Sequence, residues 1–202
     1  MLRIIFSYPT PIENELEKVQ DLLMDNEIDF FHLRKPDFDR SEMKDYLNQI
    51  DERFHNKIVI HSHYDLISKF DVAGINLNKK SIRELAIIDE VDRCYIQPLV
   101  VNKNTIEVNR IAPEIVTYSA HSFDELNNLP FNVDYVFLSP IYDSISKQDY
   151  KSNFEDKNKL KQEINKTNIK VIALGGITTD RIDEIKELGF KGFAQLGSFW
   201  LV

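Results

Sequence analysis

The 202-residue sequence predicts an α/β fold, a compact (β/α)8 TIM barrel, and three observations carry that expectation. Short apolar, β-rich runs alternate with segments of helical spacing from end to end. Alternation of this kind implies a parallel sheet. The strand-like runs number eight, which suits a closed barrel better than an open doubly wound sheet of five or six strands. Hydrophobic residues make up 43% of the chain, enough for a core. There is no Gly/Ser linker, low-complexity segment or internal repeat, so residues 1–202 are expected to form a single barrel domain.

The elements follow in order. Residues 2–6 form a β-rich run closed by Ser7-Tyr8-Pro9, and 13–26 carry apolar residues at 16, 19, 22 and 23, which is helical spacing. Residues 28–33 are strand-like, and Asp39 or Ser41 then offers an N-cap for a helix through Met43, Leu47 and Ile50. A third strand (57–60) precedes a short helix near 64–69, and a fourth (72–77) precedes a helix at 81–88. Within 89–114, residues 95–101 look β-like although Pro98 interrupts them, and 105–111 suit a helical turn. Strands at 115–119 and 135–138 flank a short helix at 123–128. The polar stretch 143–153 lacks periodicity and reads as a mobile loop. A helix at 157–166, a strand at 170–174 stopped by Gly175-Gly176, a helix capped by Thr179 or Asp180 and ended by Gly189, and a strand at 192–196 complete the pattern.

Charge and composition exclude several function classes. With 25 Lys+Arg against 33 Asp+Glu, the net charge is −8, without the basic footprint of a nucleic-acid partner. A local site for a small anion remains open. The opening run MLRIIFSYPTP is too short to span a membrane and lacks the form of a signal peptide, so a soluble, cytoplasmic protein without a membrane partner is expected. One cysteine, Cys94, allows neither an internal disulfide nor a Cys-based metal site. The six glycines write no dinucleotide or P-loop fingerprint.

In a barrel, function belongs to the C-terminal ends of the strands. Gly175-Gly176 after the seventh strand and Gly197-Ser198 after the eighth occupy the loops where such folds bind phosphate, although Gly-Gly also makes a plain tight turn. His121, beyond the fifth strand, carries an imidazole able to take and return a proton, or caps the helix that follows. Arg34 and Lys35 after the second strand suit an anion if they are not merely solvated. His61 and His63 form an H-x-H pair without a third ligand, so no metal site is expected. Lys147 lies in the polar loop, where it can close over an anion or stay in solvent.

Taken together, FFHLRKP (30–36), DVAGINLN (71–78), YSAHS (118–122), DYVFLSPIYDSISK (134–147), VIALGGI (171–177) and GFAQLGSFW (192–200) resemble the thiamine-phosphate synthase/TenI family of (β/α)8 barrels. The resemblance implies that Gly176, Gly197 and Ser198, with Gly175 beside them, hold the phosphate of a thiazole phosphate. It also implies that His32, Arg34, Ser119 and Lys147 line the substrate pocket. The synthase of this family joins a pyrimidine diphosphate to thiazole phosphate, with Mg²⁺ at carboxylates after strands 3 and 4 and a basic R-x-K after strand 2. Here strand 3 ends in His61-Ser62-His63 and strand 4 in Asn76-Leu77-Asn78-Lys79-Lys80-Ser81, without Asp or Glu, and Pro36 stands where R-x-K has its lysine. The expectation is therefore a TenI-like thiazole tautomerase that needs no cofactor, with His121 as acid/base contributing roughly 10²–10⁴-fold in rate. The alternatives are a thiamine-phosphate synthase using Mg²⁺ in a rearranged site, and a non-catalytic phosphoheterocycle-binding or regulatory protein. Thiazole phosphate or thiamine phosphate is the implied small-molecule partner, and a homo-oligomer is compatible with the sequence.

Overall fold

The computed structural model describes residues 1–83, 99–101, 106–108, 112–129, 131–143 and 151–201. Its strands are β1 (Leu2–Phe6), β2 (Phe30–Leu33), β3 (Ile58–Ile60), β4 (Gly74–Asn78), β5 (Leu99–Val101), β6 (Ile106–Val108), β7 (Ile115–Ala120), β8 (Tyr135–Leu138), β9 (Lys170–Leu174) and β10 (Gly192–Gln195). Eight of them close a parallel barrel in the order β1-β10-β9-β8-β7-β4-β3-β2. The ring shuts where β1 pairs with β10, from Leu2 opposite Gly192 to Ile5 opposite Gln195.

Side-chain alternation sorts the residues of each strand into two cores. Ile4, Phe6, Tyr135, Phe137, Ile172 and Ala194 fill the barrel interior. Residues of the other parity, Ile5, Phe31, Leu33, Val136, Leu138, Val171 and Ala173, point outward into the layer between barrel and helices. Helix Glu15–Met24 buries Val19, Leu22 and Leu23 there, and helix Arg40–Asn48 buries Met43, Tyr46 and Leu47. The latter starts at Asp39, in a capping box: Asp39 accepts the Glu42 N–H at 2.9 Å and the Glu42 carboxylate accepts the Asp39 N–H at 2.7 Å.

Two expectations are corrected. The stretch expected to make a helical turn at 105–111 contains β6, which pairs antiparallel with β5 as a hairpin outside the barrel ring. Ile106 and Val108 are β-branched, and a strand partner satisfies their backbone where an isolated turn would not. Neither Thr179 nor Asp180 caps a helix: both lie inside a single 3₁₀ turn, Thr179–Arg181, and helix Ile182–Glu187 begins after it. Residues 79–83 are helical, while the rest of the helix expected at 81–88 falls outside the described residues, as do Cys94, Lys147 and most of 143–153. Among the described residues, no helix is long and apolar enough to cross a membrane.

Candidate active site

The strand ends converge on a cavity of about 610 Å³ at the barrel mouth. Arg34, Ser119, His121, Gly175, Gly176, Gly197 and Ser198 all line it. His61, Asn76, Lys79, Lys80 and Gln195 line it as well, though the sequence did not single them out as substrate contacts. No Asp or Glu appears among its described lining residues, so the described part of the lining is neutral to basic in a chain of net charge −8.

On the side of β9 and β10, the loop 175–177 is shaped by two left-handed glycines, Gly175 at φ 93° and Gly176 at φ 65°. A Cβ on Gly176 would come within 2.3 Å of the Asp143 carbonyl oxygen. Arg181 donates to the Gly176 carbonyl at 2.8 Å and lies over the Tyr142 ring, whose other close cation is Lys157. The Gly176 carbonyl is thus already paired. Gly197 and Ser198 open the short helix Gly197–Trp200, whose first N–H groups lack intrahelical partners. The Ser198 hydroxyl donates to the Ile177 carbonyl, so its backbone N–H is the group available to an anion.

On the side of β7 and β8, His121 Nδ1 lies 3.1 Å from the Ser139 carbonyl oxygen and 3.3 Å from the Ser139 hydroxyl; the shorter contact, to a group that can only accept, is served by a proton on Nδ1. Nε2 is then the acceptor nitrogen and has no partner among the described residues. Helix Phe123–Asn127 is capped by Ser122, leaving the His121 ring out of the capping role, while the His121 N–H donates to Glu125 at 2.9 Å.

His32 is placed differently from the sequence expectation. It sits at an inward position of β2, fully buried, stacked on Phe6 with ring centroids 5.1 Å apart, and does not line the cavity. Both ring nitrogens are engaged, with His61 Nε2 at 2.9 Å and the Tyr135 hydroxyl at 2.7 Å. Asn76 donates to His61 Nδ1 at 3.2 Å and to the Ser119 hydroxyl at 3.1 Å. The chain Asn76, His61, His32, Tyr135 therefore runs from the mouth into the barrel. Burial, and secondarily the Arg34 charge, drives the His61 pKa down to about 3. Burial, with His61 beside it, holds His32 well below the usual range. Both rings are neutral at pH 7. Strand parity was the available signal: Phe31 and Leu33 are both apolar, so the histidine between them faces the other way.

Lys35, considered for anion binding, is buried and paired with the buried Glu15; its ammonium also reaches the Thr10 carbonyl at 3.3 Å. It ties the loop after β1 to the loop after β2 and is not available to a ligand. His63 Nε2 lies 2.9 Å from the Phe38 carbonyl oxygen.

A family model described as "Thiamine monophosphate synthase" matches residues 102–199. The thiamine-phosphate synthase of Prochlorococcus marinus is 36% identical over 89 residues, covering 42% of this chain and 24% of that protein. That of Pediococcus pentosaceus is 23% identical over 159 residues, covering 79% of this chain and 65% of that protein. The match thus spans less than two thirds of either relative. A solved thiamine phosphate pyrophosphorylase from Bacteroides thetaiotaomicron superposes with a TM-score of 0.71 at 29% identity, over 100% of this chain and 85% of the other.

Proposed function

Because the chain belongs to the thiamine-phosphate synthase/TenI family, we propose that its barrel mouth binds a heterocyclic phosphate of thiamine biosynthesis. The observation that carries this is the lining itself: two glycine-bearing loops with N–H groups, three cationic side chains, and no carboxylate among the described residues. Gly175, Gly176, Gly197 and Ser198 would hold the phosphate through their backbone. Arg34 and Ser119 would contact the rest of the substrate.

The names of the relatives favour one chemistry: the transfer that couples a pyrimidine diphosphate to thiazole phosphate and releases diphosphate. They support this better than the tautomerisation expected from the sequence. Within the family that transfer uses Mg²⁺, and the residues present here do not fit such a site. The ends of β3 and β4 offer His61, Asn76, Asn78, Lys79 and Lys80, where a hard cation takes carboxylate, phosphate and water oxygens. No step is therefore routed through a metal. The chain's own contribution to transfer is to hold the thiazole phosphate at one side of the mouth and to offset the diphosphate charge with Arg34 and its neighbours.

One observation favours tautomerisation as a second chemistry. The Nδ1–H of His121 is held by Ser139, which leaves Nε2 as a base at the cavity wall. The test is one set of incubations. Thiamine phosphate formed from the two substrates establishes the transferase. Aromatisation of the thiazole tautomer, abolished in His121→Ala, establishes the tautomerase. Tight binding of thiazole phosphate without either turnover leaves the non-catalytic binder, and absence of binding sinks the proposal.

A further inference from the structure

We propose that the arc of the mouth formed by the ends of β2 and β4 is a second anion subsite, at which Arg34, Lys79 and Lys80 bind a diphosphate group directly, without a divalent cation. The inference deepens the function proposed above and rests on it.

The barrel order sets the position. In a closed ring of eight, β4 stands four strands from β10, so Lys79 and Lys80 lie across the mouth from Gly197 and Ser198 while lining the same cavity. A ligand with phosphate groups at both ends, or two ligands side by side, can engage both arcs at once.

Local structure aims these cations. The Ser7 hydroxyl, fully buried, accepts the Arg34 N–H at 2.8 Å and donates to the Arg34 carbonyl at 3.0 Å, so the guanidinium projects from a fixed stem. That guanidinium has no hydrogen-bond or ion-pair partner among the described residues, and its fork geometry suits two phosphate oxygens. Asn78 closes β4 and its side-chain oxygen accepts the N–H groups of Lys80 at 2.9 Å and Ser81 at 3.0 Å, which fixes the helical turn carrying both lysines. The Lys79 ammonium, itself exposed, lies 3.7 Å from the partly buried Glu125 carboxylate, a distance at which it can exchange that partner for phosphate. Glu125 does not line the cavity and is held by the His121 N–H.

The charge of the arc decides between a metal and its absence. A magnesium site concentrates anionic oxygens, whereas here a guanidinium and two ammonium groups stand at the strand ends and would repel the ion. The same three groups attract the diphosphate that a metal would otherwise neutralise. The Arg34 charge is felt at the cavity wall, where it adds to burial in keeping His61 unprotonated.

Titration calorimetry of the full chain with inorganic pyrophosphate tests this. Binding is expected in EDTA, weakening as Mg²⁺ is added, because the complexed diphosphate carries less charge. Losing two charge-assisted contacts in Lys79→Ala/Lys80→Ala should lower pyrophosphate affinity by about tenfold or more. Arg34→Gln is an independent second variant with the same expected direction, and circular dichroism verifies that both fold. Pyrophosphate binding that requires Mg²⁺, or variants that titrate like the wild type, would overturn the proposal. Thiazole phosphate titrated into the same preparations reports on the opposite arc. Its failure to bind the wild type would sink the function proposed above and is a separate result from failure of pyrophosphate.

Discussion

At Gly176 the backbone is left-handed and the neighbouring chain leaves no room for a side chain, so this position bears on both fold and ligand. Gly176→Ala should cost about 1–3 kcal/mol in stability. It should also weaken thiazole phosphate binding more than pyrophosphate binding, measured by thermal unfolding and calorimetry. Lys35 and Glu15 make the opposite case, a residue whose charge serves only the fold. Removing the ammonium in Lys35→Met strands a buried carboxylate and should cost about 3–5 kcal/mol at pH 7. Burial already raises the Glu15 pKa, with Lys35 opposing it. Without Lys35 the pKa rises further, so the deficit should shrink as pH falls and Glu15 becomes neutral. Denaturant midpoints at pH 7 and 5 check this, and Glu15→Leu/Lys35→Met should recover most of the loss. Arg34 and Lys35 are adjacent and alike in charge, and only parity and the distant Glu15 separate their fates. That distinction is invisible to composition.

Among the elements, the barrel strands are the most legible. Their apolar runs are dense because both faces are buried, and strands such as β1, β8 and β9 begin and end where the pattern says. Of the two caps the sequence offers for the second helix, Asp39 is the one used, and Glu three residues later is the local signal that separates it from Ser41. Asp39→Ala should cost about 1 kcal/mol, read as a lower unfolding midpoint. Elements defined by distant partners are less legible. The β5–β6 hairpin is built on cross-strand pairing, which a short apolar run shares with a helical turn. The turn Thr179–Arg181 displaces an expected helix start because Arg181 reaches back to Gly176. The final helix is likewise fastened by one long contact, Trp200 Nε1 donating to the Phe6 carbonyl at 2.7 Å. Trp200→Phe should cost about 1–3 kcal/mol by leaving that carbonyl unpaired, without altering helix content by circular dichroism.

Over the whole molecule, the strand ends of the candidate site are legible, but the histidines inside the barrel make the chain acid-sensitive in a way the sequence does not announce. His61 titrates near 3 and His32 well below its ordinary value, whereas both regain ordinary values on unfolding. Their contribution is complete above pH 6.5 and is lost as pH falls toward the folded values, because the unfolded chain takes up the protons. From pH 6.5 to 5 His61 alone should remove about 1.5 kcal/mol, and His32 acts in the same direction. Glu15, with its raised pKa, works in the opposite direction just above the ordinary carboxylate range. Urea unfolding across this range should show the loss in the wild type and a shallower slope in His61→Gln.

The pairing of β1 with β10 carries a consequence for how the molecule comes into being. During synthesis β1 emerges long before its partner, which follows about 190 residues later. Until then the growing sheet is an open ribbon with an unpaired edge on each side, able to take in a strand from another chain. Chaperone protection of the nascent chain matters most in that interval. The closing step joins residues about 190 positions apart, which places it among the slow, high-contact-order events of folding.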